Sequence, residues 1–249
     1  MADAWFWVAA LVAAGLVGMG KGGVPVVGML GVPVMALVIN PVVAAGLLLP
    51  VFVVSDVFGL YAYRRAFDRR VLAILLPGAV VGIGIGWATA TVVPEAAVTL
   101  LVGVIGVVFA ANLILRKPLV AEPQDPKVGP GLFWGAVTGF TSFVSHAGAP
   151  PYQVYTLPLG MQKAVFAGTS TIAFAVINAV KLVPYYALGQ LNLGNLKVAV
   201  VLAVPAAIAV FAGVRLVKRM PEKLFFRLVT WALLLISLKL IWDGAQGLV

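Results

Sequence analysis

Six apolar stretches of membrane-crossing length run along the chain in two sets of three, over residues 41–115 and 163–242. Each set is preceded by an apolar stretch that glycine and proline interrupt. In the first, residues 5–17 are apolar, Gly18-Met19-Gly20-Lys21-Gly22-Gly23-Val24-Pro25 interrupts, and Val26 to Ile39 resumes. In the second, Gly131 to Ser142 gives way to Ser145-His146-Ala147-Gly148-Ala149-Pro150-Pro151, and the following arm, Tyr152 to Met161, is short and contains Pro158. Glycine and proline at this density end a regular helix, because one costs backbone entropy and the other lacks an N–H. A bilayer-spanning helix needs about 20 apolar residues, and no segment shows the ten-residue alternation of a β-barrel strand. The pattern predicts an all-α polytopic membrane protein of 8–10 helical segments. Each half is a broken or re-entrant segment followed by three transmembrane helices.

The two halves are in register. Pro94-Glu95 and Pro221-Glu222 both open the last span, 127 residues apart, and Gly46 and Gly168 match near the start of the first long span. The 122-residue offset of that second match pairs Asp56 with Asn178. Expected boundaries are 1–115 for the first repeat, 116–130 for a cytoplasmic linker and 131–249 for the second repeat, within one integral membrane domain.

Charge changes the picture by giving the repeats opposite directions. After the first long span, the first half carries Arg64, Arg65, Arg69 and Arg70, while the matching loop Gly189–Asn195 has no charge. After the second span the pattern reverses: residues 87–93 are uncharged, and Arg215, Lys218, Arg219 and Lys223 fill the counterpart. Lys and Arg collect in cytoplasmic loops, so equivalent loops face opposite sides. This is the pattern of an inverted-topology repeat, common among secondary transporters. Counting crossings from the basic loops makes each broken segment cross an even number of times, as a hairpin or two short spans, and puts both termini on the periplasmic side. The N-terminus has no basic region of the kind that opens a cleaved signal peptide. Trp5, Trp7, Trp87 and Trp242 fall near periplasmic ends, where aromatic side chains anchor at the interface.

The composition agrees: 63% of residues are hydrophobic and 10% charged, against about 25% charged in an ordinary globular chain. The net charge of +9 is not a nucleic-acid footprint, since 13 of the 17 basic residues gather at one expected face. Cysteine is absent and there is one histidine, so no metal site is expected. One histidine and few acids also make an intramembrane enzyme a poor reading, because it would need convergent nucleophile and base.

The candidate chemistry gathers at the breaks. Gly15-x4-Gly20-Lys21 has the spacing of a phosphate loop, but Gly22 stands where Ser or Thr is needed and no strand precedes it. A glycine break can still expose backbone N–H groups to an anion. Gly20, Lys21, Gly22 and Gly23 are therefore expected to bind an anionic substrate, with Lys21 snorkelling to the surface as the alternative. In the second break, Ser142, Ser145, His146, Ala147 and Gly148 are the equivalent candidates, and Thr169, Ser170 and Asn178 add neutral donors, though hydroxyls also join helices. Asp56 lies deep in its span, where a carboxylate needs a partner or a cavity. Asp56 and His146 are the candidates for carrying a coupling proton. Gly82-x-Gly84-x-Gly86 and Gly103-x-x-Gly106 read as close-packing sites.

The duplicated order resembles the TauE/SafE sulfite-exporter family. The resemblance rests on Gly18-x-Gly20-x-Gly22-Gly23-x-Pro25, on Gly139-Phe140-Thr141-Ser142 leading to His146-Ala147-Gly148-Ala149-Pro150-Pro151, and on Gly168-Thr169-Ser170 leading to Asn178. It covers nearly the whole chain, and it differs where many relatives carry a Gly-rich cluster in place of His146-Ala147-Gly148-Ala149. The resemblance implies a secondary transporter of small sulfur-containing anions, sulfite or an organosulfonate, in a bacterial cytoplasmic (inner) membrane. Expected partners are that anion and membrane lipid, with no cofactor and no nucleic acid; a homodimer is compatible. A passive anion channel is the alternative that shares these features.

Overall fold

The computed structural model describes residues 4–115, 124–191 and 193–248. Residues 116–123 of the expected linker lie outside these. So do residue 192 of the uncharged loop and the chain ends expected on the periplasmic side, 1–3 and 249. The described residues are helical, with no strand. The first half contains α1 (Ala4–Lys21), α2 (Pro25–Gly28), α3 (Gly31–Ala36), α4 (Pro41–Tyr63), α5 (Arg69–Ala88) and α6 (Glu95–Leu115). The second contains α7 (Val128–Ser145), α8 (Ala149–Thr156), a 3₁₀ turn (Leu157–Leu159), α9 (Lys163–Ala187), α10 (Leu193–Arg219) and α11 (Glu222–Gln246). Seven of these, α1, α4, α5, α6, α9, α10 and α11, are long and apolar enough to cross a bilayer. The protein is an all-α polytopic membrane protein, and each half is a broken segment followed by three long helices.

Two details differ from expectation. The described helices exceed 8–10 because the arm after the first break is itself divided, into α2 and α3. Pro33 explains the division: a helix continuing back through Met29 would bring the proline ring against the Met29 carbonyl. The first break is also shorter than residues 18–25. Helix α1 continues through Gly18 and Gly20 to Lys21, and Gly22 and Gly23 close it with bonds to the Gly18 and Gly20 carbonyls (2.8 and 3.2 Å). Gly23 stops it, with φ of 116°, a conformation open in practice only to glycine.

The chain folds as two compact units, and each takes helices from both halves of the sequence. The first comprises residues 1–67 and 167–220, holding α1–α4, most of α9 and α10; the second comprises 68–166 and 221–249, holding α5–α8 and α11. In the first unit, α1 packs along α10 and α4 along α10; in the second, α5 packs along α7 and α6 along α11. The α1–α10 and α7–α5 pairs are counterparts under the sequence register.

Small residues set these contacts. Gly22 meets Gly213 so closely that a Cβ on Gly22 would lie 2.6 Å from the Gly213 Cα. Gly82 lies against the Ala136 backbone, Gly86 against Phe143, and Gly103 and Gly106 against α11 at Ile241 and Ser237. Close approach of this kind drives helix association in lipid, where the hydrophobic effect is absent. Gly84 is the exception and faces open space. Asp68 caps α5, accepting a bond from the Val71 N–H at 3.0 Å, a contact worth about 1 kcal/mol. Trp5, Trp87 and Trp242 are exposed at helix ends, as interface anchors require.

Candidate functional site

The first unit buries a polar cluster among membrane-crossing helices. Two stripes build it. Phe52, Asp56, Gly59 and Tyr63 recur at three- and four-residue spacing along α4, and Thr171, Phe174, Asn178, Lys181 and Tyr185 do the same along α9. Such spacing puts each set on one helix face. The end of α1 meets both stripes: a Cβ on Gly59 would touch the Lys21 carbonyl and the Thr171 methyl. Only a residue without a side chain admits that approach.

At the centre, Lys21 Nζ forms an ion pair with Asp56 Oδ1. The Asn178 amide donates to Asp56 Oδ2 at 2.8 Å. Both carboxylate oxygens are thus engaged, one by a cation and one by the residue at its own register position 122 residues away. Lys21 is 5% exposed, Asp56 4% and Asn178 4%. Lys21 also stands over the rings of Phe52 and Phe174, 5.5 and 5.9 Å from their centroids, close enough for cation–π attraction. An ion pair so enclosed survives only because each charge has its partner, since desolvating a lone charge costs several kcal/mol.

These contacts reassign the first break. Lys21 does not snorkel; it belongs to the last turn of α1, where the helix dipole favours a cation. The end of α1 presents carbonyls rather than N–H groups. The Thr171 hydroxyl donates to the Lys21 carbonyl at 3.1 Å and the Tyr63 hydroxyl to the Gly22 carbonyl at 2.7 Å. The Gly22 and Gly23 N–H groups, expected to cradle an anion, already donate within the turn. The next helix start, α2, is a single turn opened by Pro25, which has no N–H. In this break the positive charge is that of the Lys21 side chain, paired with Asp56.

Other expected donors are also occupied. The Ser170 hydroxyl donates to the Ala167 carbonyl at 2.9 Å and that of Ser145 to Thr141 at 3.2 Å, both back-bonds along their own helices. Thr169 and Ser142 are buried. Ser142, Ser145, His146, Ala147 and Gly148 belong to the second unit, and Gly20–Gly23, Asp56, Thr169, Ser170 and Asn178 to the first. In the second unit, His146 ends α7 in the left-handed conformation, φ 53°, and the Ala147 N–H returns to the Thr141 carbonyl at 3.2 Å. Gly148 precedes α8, whose first turn contains Pro150 and Pro151.

Two residues escaped the sequence reading. Lys181 is fully buried in α9, one turn beyond Asn178 and within electrostatic reach of both Lys21 and Asp56. Its signal was present, since an ionisable residue inside a span is a functional candidate by default. Gln153 is fully buried on α8, and both its amide atoms lack a hydrogen-bond partner among the described residues. Nothing in a sequence marks a glutamine as unsatisfied.

Helices of spanning length, one unit of them built around a buried ion pair, define a polytopic α-helical membrane protein. The family model for the sulfite exporter TauE/SafE matches residues 4–240, and the chain belongs to that family, a family of membrane transporters. No curated protein and no solved structure gives a significant match.

Proposed function

We propose that this protein carries a small sulfur-containing anion, sulfite or an organosulfonate, across a bacterial cytoplasmic membrane by alternating access, with Asp56 exchanging the coupling proton. The observation that carries the reading is the Lys21–Asp56–Asn178 cluster, enclosed among spanning helices. An ionised carboxylate holds Lys21 to itself. A proton on Asp56 ends that ion pair and turns the Lys21 charge toward an incoming anion. Loss of the proton restores the pair and weakens the anion's hold. Proton and anion are thereby linked through one ammonium, and each raises the affinity for the other. The reversed basic loops supply the inverted repeat that alternating access uses. They also orient both termini to the periplasm.

The test is uptake of labelled sulfite into proteoliposomes, with and without a pH gradient. Wild type is expected to show saturation, counter-transport and acceleration by the gradient. Asp56→Asn is expected to keep anion binding and lose the acceleration. Linear, non-saturating flux without counter-transport would mean a channel. Full gradient-driven uptake in both Asp56→Asn and His146→Gln would show that neither residue carries the coupling proton.

A further inference from the structure

Away from the ion pair, the first unit has an apolar groove of about 290 Å³ between α4 and α10. Val54 and Phe58 line it from α4, and Val204, Ala207, Ile208 and Phe211 from α10. Val204 and Ile208 are 64% and 67% exposed, so the groove opens on the surface that spanning helices turn to hydrocarbon. The two helices run the same way. Gly46, near the start of α4, lies against Gln190, just before α10, and Tyr63 at the end of α4 lies with Val217 around Gly23. Phe58 and Phe211 meet edge to face toward that second end, their centroids 5.9 Å apart. Beyond them both walls turn polar. The α4 stripe continues to Tyr61, where the Arg64 guanidinium stands 4.3 Å from the ring centroid and donates to the Tyr61 carbonyl at 2.8 Å. The α10 stripe of Val204, Ile208 and Phe211 continues at the same spacing to Arg215 and Lys218. Arg64, Arg215 and Lys218 are exposed. Among the described residues of this unit the sole carboxylate is Asp56, buried in its own pair.

We propose that this groove seats an acyl chain of an anionic phospholipid from the leaflet bordering the basic loops, with the lipid phosphate held by Arg215 and Arg64. Depth fits this occupant. From Ala203, which also lines the groove, to Arg215 is roughly 18 Å along the helix at about 1.5 Å per residue. That is close to the roughly 15 Å of hydrocarbon in one leaflet, so a chain lying in the groove brings its headgroup level with the arginines. Charge fits as well. A guanidinium stays ionised at physiological pH and binds phosphate through two parallel N–H bonds, and basic sites between spanning helices attract acidic headgroups. A zwitterionic lipid has the same chains and phosphate but adds a cation of its own to this basic end. A second copy of the chain fits poorly, because a two-fold axis along the membrane normal would set the same arginines against each other. Val54 and Phe58 lie on the face of α4 opposite Asp56, so the lipid site is separate from the ion pair and independent of the transport reading.

The experiment measures lipid binding to purified full-length protein in neutral detergent by native mass spectrometry. The probes are phosphatidylglycerol, phosphatidylcholine with the same acyl chains, and soluble glycerol phosphate. Wild type should bind phosphatidylglycerol at least about fivefold more tightly than phosphatidylcholine, the factor that one basic residue supplies at an anionic surface, and should not retain glycerol phosphate. Arg215→Gln should lose about fivefold in phosphatidylglycerol affinity and leave phosphatidylcholine unchanged. Ala207→Leu fills the groove without altering charge, so it should weaken both lipids and keep their ratio. Arg215 is exposed, so Arg215→Gln should melt like wild type in lipid-free detergent, which separates lost binding from lost structure. Equal binding of the two lipids by wild type, or wild-type phosphatidylglycerol affinity in Arg215→Gln, would overturn the headgroup contact. Unchanged lipid binding in Ala207→Leu would overturn the groove. Glycerol phosphate bound as tightly as the lipid would make this a phosphate site instead, and a lipid-free dimer that Ala207→Leu turns into a monomer would make the groove an interface between copies.

Discussion

Asp56→Asn is the perturbation on which the charge arrangement makes its firmest demand. The substitution keeps the side-chain size and removes the negative charge that Lys21 pairs with and that lies within electrostatic reach of Lys181. Breaking a buried pair from one side costs about 3–5 kcal/mol, because the surviving charge is stranded. Here Lys21 loses its ion-pair partner and Lys181 loses a carboxylate within its electrostatic reach. Lys21→Met should cost less. It leaves Asp56 its bond from Asn178 and Lys181 as a nearby cation, so the loss is nearer the about 1.5–3 kcal/mol of one charged hydrogen bond. At about 2–4 °C per kcal/mol for a chain of this size, Asp56→Asn should melt about 6–20 °C below wild type, with Lys21→Met between them. The assay is tryptophan fluorescence on heating in detergent. Added sulfate should restore Asp56→Asn more than wild type, because an anion replaces the missing charge; a ligand at a hundred times its Kd contributes about 2.7 kcal/mol. Equal melting of Asp56→Asn and wild type would refute the reasoning, as would a greater loss in Lys21→Met.

Other outcomes follow from particular contacts. A cysteine at Leu191 should react with an impermeant reagent from outside, and cysteines in the Arg64–Arg70 and Arg215–Lys223 loops only after permeabilisation; the native chain has no cysteine to interfere. Gly22→Ala should lower stability by about 1–3 kcal/mol, the cost of overpacking, because its Cβ would press on the Gly213 backbone; unchanged melting would show that α1 and α10 separate freely. His146→Gly should raise stability by about 1 kcal/mol by relieving the left-handed conformation, and a lower melting temperature would show that the imidazole contributes more than its strain costs. Tyr63→Phe should cost about 1–3 kcal/mol by leaving the Gly22 carbonyl unsatisfied, again read by melting.

The long helices were legible because length and apolarity alone specify them in lipid. The 122-residue register was legible too, and it led from Asp56 to the residue that donates to it. Less was readable where the backbone decides direction. A glycine break does not say whether it exposes N–H groups or carbonyls, and the answer depended on Gly23 and on hydroxyls from Tyr63 and Thr171, distant in sequence. Lys21 looked like a free cation because its partner lies on another helix. The composition of the compact units was hidden for a similar reason. Short loops suggest that neighbours in sequence pack together, whereas α1 finds α10 through glycine and alanine positions whose complementarity appears only in three dimensions.

The interleaving of the two halves has a consequence for biosynthesis. The ribosome completes Asp56 long before Asn178, and the 122 residues between them take on the order of ten seconds at about 5–20 residues per second. During that interval α1 and α4 are already made, while α9 and α10, which complete their unit, do not yet exist. The nascent N-terminal half must keep Lys21 and Asp56 in the membrane without the amide that later binds the carboxylate. Their mutual neutralisation is then a condition for waiting as well as for the finished site. A chain divided in the 116–130 linker would yield two fragments that each lack half of both units, and neither should mature until the other is synthesised in the same membrane.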